Sequence, residues 1–188
     1  MKEASLVELQ RTYALEKYSN YLRMLVELQL SPHLRGKIDL SGIVQQTLFE
    51  AHQAQPKFEA KGDDLLPWLR RILLNNLADE IRKAKRVKRG GGREVSLACA
   101  LEQSSLTLEA FAIADQESPS HHLMKQEQIL NLTAALARLP EAQREALILQ
   151  HWHNWQLAQI GEQMGRTRAA VAGLIKRAIQ SLRNDFRE

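Results

Sequence analysis

The stretch NWQLAQIGEQMGRTRAAVAGLIKRAIQSLR, Asn154 to Arg183, decides the fold class. Leu157, Ile160 and Met164 recur at helical spacing, and Asn154 stands where an N-cap side chain would accept a backbone N–H. Gly165 falls where a helix ends in a left-handed residue. Thr167 can cap a second helix, whose apolar stripe is Val171, Leu174, Ile175, Ala178 and Leu182. Gly161, Gly165 and Val171 supply the small residue, the turn glycine and the apolar anchor of a helix-turn-helix at its usual spacing. The outward face of the second helix is then Arg168, Ala169, Ala172, Gly173, Lys176, Arg177, Gln180 and Arg183. A solvated face would ordinarily carry glutamate, yet none occurs between Glu162 and Glu188. Small side chains let a groove come close and cations hold phosphates, so this face is expected to lie against duplex DNA.

The rest of the chain has to be consistent with that expectation. Its 188 residues suffice for one domain or two small ones, and 26% charged with 44% hydrophobic residues is a globular balance. No run of about 18 apolar residues exists, so a membrane span is not expected. The opening MKEASLVELQRTYALEKY scatters its charges instead of placing a basic tip before an apolar core. It does not read as a secretory signal, and a cytoplasmic location is expected. Cys99 is the one cysteine, which excludes an intramolecular disulfide and a multi-cysteine metal site; with no cation cluster around it, it reads as a small linker residue. Net charge is only +4, but its distribution is uneven. Arg70, Arg71, Arg82, Lys83, Lys85, Arg86, Lys88, Arg89 and Arg93 are opposed only by Asp79 and Glu80. With the second basic group on Arg166, Arg168, Lys176, Arg177 and Arg183, two patches about a hundred residues apart suggest a polyanion touched at two places.

Strand signals are nearly absent, and helical spacing recurs throughout, so the fold is expected to be all-α: two small helical domains joined by a flexible linker. Val7, Leu9 to Leu15, Tyr18, Leu22, Leu25, Val26 and Leu28 predict an N-terminal helix or two, interrupted near Pro32. Asp39 or Ser41 can cap a helix with Ile43, Val44, Thr47, Leu48 and Ala51 as its stripe, ending near Pro56, and KFEAKGDD follows as a loop. Pro67 suits the first turn of PWLRRILLNNLADEIRKAKRVKR, with Trp68, Leu69, Ile72, Leu73, Leu77 and Ile81 buried, stopping at Gly90 to Gly92. Residues 1–93 form the first unit on this reading. Residues 94–124, rich in serine and small side chains, read as the linker, and residues 125–188 as the second unit. In the latter, QEQILNLTAALARL is one helix and PEAQREALILQHWHN, opened by Pro140 with Glu141 in its first turn, is the next.

Candidate chemistry is confined to binding. Asn75 and Asn76 sit mid-helix, where asparagine is a poor helix former, so the pair suggests use. Trp68 suits core packing and base stacking equally. The run Arg82 to Arg89 is denser than a solvated helix end requires and reads as a nucleic-acid contact. His151 and His153 are two apart, on different helix faces, which suits chelation badly. GGGR lacks the Gly-Lys-Ser/Thr ending of a phosphate loop. Neither catalysis, nor a metal, nor a cofactor is expected.

In the order of DLSGIVQQTLFEAH, LLPWLRRILLNNLADEIRKAKR, LARLPEAQREALIL and the helix-turn-helix, with a linker between the second and third, the chain resembles bacterial sigma factors of the extracytoplasmic-function type. The resemblance spans Tyr18 to Phe186 and implies a promoter-recognition subunit of RNA polymerase. It implies that Val44, Gln45, Gln46, Leu48 and Phe49 meet the clamp coiled coil of the polymerase's largest subunit. It implies that the loop Lys57 to Asp63, including Lys61, opens and reads the −10 element with Trp68, Arg71, Asn75 and Asn76, supported by Arg82, Lys83, Lys85 and Arg86. At the −35 element it implies Arg166, Thr167, Arg168, Ala172, Gly173, Lys176 and Arg177. Core RNA polymerase and promoter DNA are the implied partners, with an anti-sigma protein as a candidate third. Two departures stand out. Gly42 and Gln46 replace residues often acidic in the family, which weakens the expected electrostatic part of the polymerase contact. Ala172 and Gly173 replace a common cation and serine, which shifts the expected weight from base readout to phosphate contacts and groove shape.

Two rival readings are a stand-alone helix-turn-helix regulator that binds duplex DNA as a dimer, and a helical adaptor that binds only protein. The first leaves the basic helix of the first unit without a purpose. The second leaves Asn75, Asn76 and the basic C-terminal face without one.

Overall fold

Helix is the only regular structure among the residues that the computed structural model describes, which are 15–29, 38–59, 65–85, 92–113 and 122–185. The eight helices among them are α1 (Ser19–Gln29), α2 (Leu40–Glu59), α3 (Leu65–Lys85), α4 (Gly92–Ile113), α5 (His122–Arg138), α6 (Glu141–His151), α7 (Leu157–Met164) and α8 (Arg168–Asp185). The chain divides into two compact units, Met1–Leu106 and Thr107–Glu188. No helix among the described residues is long and apolar enough to cross a membrane.

The first unit is built around α1, which is buried on most of its circumference: Tyr21, Leu22, Met24, Leu25, Val26 and Leu28 are all inside. A helix apolar nearly all round must be enclosed, and α2 and α3 pack against it and against each other. The second helix starts where Asp39 accepts the Gly42 N–H at 3.0 Å. It does not stop at Pro56 but runs to Glu59. A proline costs one backbone hydrogen bond and strains the turn before it, and so close to the helix end only a last short turn bears that cost. Helix α3 buries Leu69, Leu73 and Leu77 at intervals of four, and Trp68, Ile72 and Ile81 flank that row half-buried. Residues 1–14, including Val7 and Leu9, and the glycine run up to Gly91 lie outside the described residues.

The largest departure from expectation is α4. Residues 92–113, placed mostly in the linker on the sequence pattern, form a helix of 22 residues. Its buried side alternates apolar and polar groups: Leu101, Ser104, Ser105 and Leu108. Within the first unit the serines are satisfied by distant partners. Gln29 Nε2 donates to Ser104 Oγ at 2.7 Å, Tyr21 and Ser105 share a hydrogen bond at 3.2 Å, and Arg70 Nη1 donates to Ser105 Oγ at 2.9 Å. Arg70 also faces Glu102, at 3.4 Å. A stripe half made of serine has no apolar periodicity to read, which is why it resembles a linker.

The second unit is a helical cluster in which α8 packs on α5, α6 and α7. Ile129, Leu132 and Leu136 of α5, Ala146 to Leu149 of α6 and Ile160 of α7 close over Val171, Leu174, Ile175, Ala178 and Leu182. Burying a side chain of this kind is worth about 1.5–3 kcal/mol, so the five stripe positions hold α8 against the unit. Trp152 and Trp155 are half-buried, Trp152 with Phe111 at 5.6 Å between ring centres. At the far end Arg138 Nη2 reaches Asp185 at 2.9 Å and ties α5 to the end of α8.

Candidate nucleic-acid interface

The bend between α7 and α8 is held by backbone atoms. Gly165 adopts φ 62, ψ 37, a left-handed conformation that side chains disfavour. The Arg166 N–H then returns to the Gly161 carbonyl at 2.8 Å. A Cβ on Gly161 would lie 2.7 Å from the Arg166 carbonyl oxygen, so this position requires glycine for the chain to fold back so closely. Thr167 Oγ1 accepts the Ala170 N–H at 3.2 Å and caps α8. The cap of α7 is not Asn154, however. Gln156 fills that position in a reciprocal box with Gln159, whose side chain accepts the Gln156 N–H at 2.8 Å. Asn154 instead takes φ 54 in the turn before it, a conformation asparagine tolerates better than most residues.

The predicted outer face of α8 is open. Arg166, Thr167, Arg168, Ala169, Ala172, Lys176, Arg177, Gln180 and Arg183 are exposed, and Gly173 is half-covered. Among the described residues the side chains of Arg166, Arg168, Lys176, Arg177 and Arg183 have no carboxylate or carbonyl partner. These side chains are exposed, so their N–H donors are available to an anion. Beside them, Gln150, Leu157, Ile175 and Ile179 floor a hollow of about 780 Å³, rimmed by Lys176, Gln180 and Arg183.

Helix α3 is arranged differently. Arg82 pairs with Asp79, and Lys83 Nζ meets Glu80 Oε1 at 2.6 Å. The hydrogen bond and charge of Glu80 hold the proton on Lys83 and raise its pKa. These two cations, read from the sequence as nucleic-acid contacts, thus carry their own counter-charges. Arg71 and Asn75 are exposed, and Trp68 is half-buried, so all three can touch a ligand. Asn76 has an internal partner instead: its Nδ2 donates to Thr47 Oγ1 at 3.2 Å and to Glu50 Oε2 at 3.4 Å, bridging α3 to α2. Lys61 and Arg86 lie outside the described residues, as does most of the Lys57–Asp63 loop; Lys57 to Glu59 belong to α2. Lys85 is the last residue of α3.

On α2 the predicted protein-contact residues divide. Val44 is only 5% exposed and belongs to the core, because it falls on the same stripe as Ile43 and Ala51. Gln45 and Gln46 are exposed, Leu48 is half-buried, and Phe49 is 57% exposed, a large ring left in water. Gln46 donates to Glu50 at 2.7 Å. Gly42 and Gln46 carry no charge, yet the cleft they line, of about 410 Å³, is also lined by Asp39, Glu50, Asp79 and Glu80, with Lys83 at its edge. Four carboxylates thus surround the two uncharged positions, and two of them, Asp79 and Glu80, are already paired with Arg82 and Lys83. Sequence reasoning did not find Asp79 and Glu80 as part of this surface, although their helical spacing from Arg82 and Lys83 was visible. Among the described residues no group of histidine, cysteine or carboxylate side chains is arranged to hold a metal.

Comparison with known proteins agrees with this division. Residues 18–87 match the family model Sigma-70 region 2, and residues 129–182 match Sigma-70, region 4. Together they take in well over half of the chain. Among curated proteins, the ECF RNA polymerase sigma factor SigG of Mycobacterium tuberculosis, in strains CDC 1551 / Oshkosh and ATCC 25618 / H37Rv, is 31% identical over 152 residues. The similarity covers 77% of this chain, which spans 41% of the length of those relatives.

Proposed function

The chain belongs to the sigma-70 family, and on that premise we propose that it is a dissociable promoter-recognition subunit of bacterial RNA polymerase, of the ECF type that its relatives are named for. The observation that carries the reading is the outer face of α8: four cations, with Arg166 in the turn before it, that have no protein partner among the described residues, and small residues between them, on a helix held by a tight helix-turn-helix. That face enters the major groove at the −35 element, with Arg166, Arg168, Lys176 and Arg177 on phosphates and base edges, while Thr167 serves as the cap.

Helix α3 acts on the −10 element, where one strand must leave the duplex. The exposed amide of Asn75 has the donor and acceptor that a base edge requires, Trp68 offers a ring for stacking, and Arg71 holds the displaced backbone. The family likeness assigns Lys61, Lys85 and Arg86 to the same promoter element. Helix α2 docks core polymerase through Phe49, Leu48, Gln45 and Gln46, beside the acidic cleft, which favours a cationic partner surface. The reading gives the chain no chemical step of its own. The family likeness adds an anti-sigma protein as a candidate third partner, which would compete with core polymerase for the chain.

The test is co-purification with bacterial core RNA polymerase, followed by transcription from a library of random promoters with and without the chain. Stable association and a shared two-part start-site motif are expected, with weak binding of the free chain to duplex DNA. Retention on DNA with no association with polymerase would favour the stand-alone regulator.

A further inference from the structure

Consecutive residues of a helix point about 100° apart, and the neighbours Arg70 and Arg71 of α3 have different surroundings. Arg71 is exposed, whereas the Arg70 side chain is only 11% exposed, set against α4. Arg70 Nη1 donates to Ser105 Oγ at 2.9 Å and to Tyr21 Oη at 3.2 Å. Its other edge faces Glu102, with Nε and Nη2 each 3.4 Å from a carboxylate oxygen. That is wider than the roughly 2.7–2.9 Å of a tight charge-assisted pair, and the Glu102 side chain is itself 56% exposed. The guanidinium is thus covered by a carboxylate that water and other anions can reach.

The rest of the α4 seam is equally easy to part. Up to Leu106, where the first unit ends, its buried side chains among the described residues are Leu101, Ser104 and Ser105. The backbones of α1, α2 and α3 pack closely on one another, but α4 makes no comparable approach to any helix among the described residues. It is reached instead by the long side chains of Tyr21, Gln29 and Arg70. Hydroxyl, amide and guanidinium groups regain hydrogen bonds in water when they separate, so each such link contributes little net. Few buried apolar contacts and thin packing mark a segment that opens well below the cost of global unfolding.

We propose that α4 is an autoinhibitory latch on the first unit: docked, it covers and neutralises Arg70; released, it frees that guanidinium, beside Arg71, to hold a nucleic-acid phosphate. A phosphate takes an arginine in the same fork as a carboxylate does, so the polyanion and Glu102 compete for one residue. The inference rests on the sigma-factor reading for the identity of that polyanion, promoter DNA. It goes beyond that reading by making one contact of α3 conditional on α4.

The experiment uses the full chain and two readouts: amide hydrogen exchange by mass spectrometry, and anisotropy of a fluorescein-labelled single strand of random sequence across salt concentrations. In the wild-type chain the amides of residues 98–106 should exchange before those of Leu69, Leu73 and Leu77. Glu102→Gln removes the counter-charge and should speed exchange in α4 about two- to fivefold while tightening binding to the strand. Ser104→Ala changes no charge and brings in a better helix former, so α4 stays helical and loses its tie to Gln29. It should speed the same exchange and tighten binding at least about twofold, with a salt slope steeper by up to about 0.7, the value of one added contact on a single strand. Arg70→Ala should also speed exchange but weaken binding, and adding Ser104→Ala to it should give no further change in affinity. The proposal is overturned if wild-type α4 exchanges as slowly as the leucine row of α3, or if Ser104→Ala speeds exchange without tightening binding. An equal gain from Ser104→Ala with Arg70 already replaced overturns it too. If these results hold but the chain does not associate with core polymerase, the sigma-factor reading fails and the latch stands. Promoter-specific initiation with exchange in α4 unmoved by the variants sinks the latch alone.

Discussion

Helices α3 and α8 are both rich in arginine and lysine, but their cations are in different electrostatic states. On α3, Asp79 and Glu80 stand three residues before Arg82 and Lys83 and pair with them. On α8 the one acidic residue, Asp185, is at the far end and engaged by Arg138. Surface pairs of the α3 kind contribute little to stability, but they lower the field that a distant polyanion feels. Basic density along a sequence therefore measures potential for binding, and the number of unneutralised cations measures how much of it is realised. On the proposed reading this comparison makes α8 the electrostatic anchor and leaves α3 to act more through shape and amide chemistry at Asn75, Trp68 and Arg71.

The most severe way to break the comparison leaves every charge in place. Gly161→Val should destabilise the second unit by about 3 kcal/mol, because its side chain meets the Arg166 backbone carbonyl and cannot be relieved by a rotamer change. Denaturant unfolding of the full chain should show an early transition from this unit, with −35-dependent initiation lost along with it. Next in size is charge reversal. Lys176→Glu with Arg177→Glu should weaken promoter DNA binding at least about tenfold and lower the salt slope by about 1.8. Arg82→Glu with Lys83→Glu should do less, since each of these cations is already paired. Equal losses from the two double variants, measured by anisotropy across salt concentrations, would overturn the distinction drawn between the helices.

The adjacent asparagines sharpen the comparison within α3. Asn76→Ala should cost about 1 kcal/mol of stability by releasing Thr47 and Glu50 from their shared partner. Asn75→Ala should change stability by less than about 0.5 kcal/mol and act instead on strand opening, followed by permanganate reactivity of the −10 region.

The smallest effect is one of pH. His151, edge-on to Phe111 at 5.5 Å between centres, has its pKa pushed below the ordinary 6.5 by loss of water. Between the lowered value and 6.5 the unfolded chain holds a proton that the folded chain lacks. Stability is therefore complete above pH 6.5, declines as pH falls through that window, and levels off below the folded value. His151→Gln should flatten this slope in thermal melts taken across the window.

The apolar framework of α8 was legible because all five of its buried residues fall on one stripe at intervals of three and four. The same holds for the leucine row of α3. Helix α4 was not legible, since its buried serines are satisfied by Tyr21, Gln29 and Arg70, and such partners are defined only after the chain has folded. The role of Asn76 was hidden for the same reason: its partners lie on another helix. The cap of α7 was within reach, as Gln156 and Gln159 have the spacing of a reciprocal box. Asn154 was the stronger signal by residue type, but it stands two residues too early. The pairing of Arg82 and Lys83 was also readable from helical spacing, and a count of net charge obscured it.

In α8 the residues that hold the helix in place and those that face outward are separate sets. The bend depends on Gly161, Gly165 and backbone hydrogen bonds, and the attachment on five buried side chains. The exposed positions from Arg168 to Arg183 have no share in either task, and changes at such sites usually alter stability by less than about 0.5 kcal/mol. Lineages can therefore replace them one at a time without passing through misfolded intermediates. On the proposed function, the promoters such a chain selects diverge under selection while its architecture stays the same.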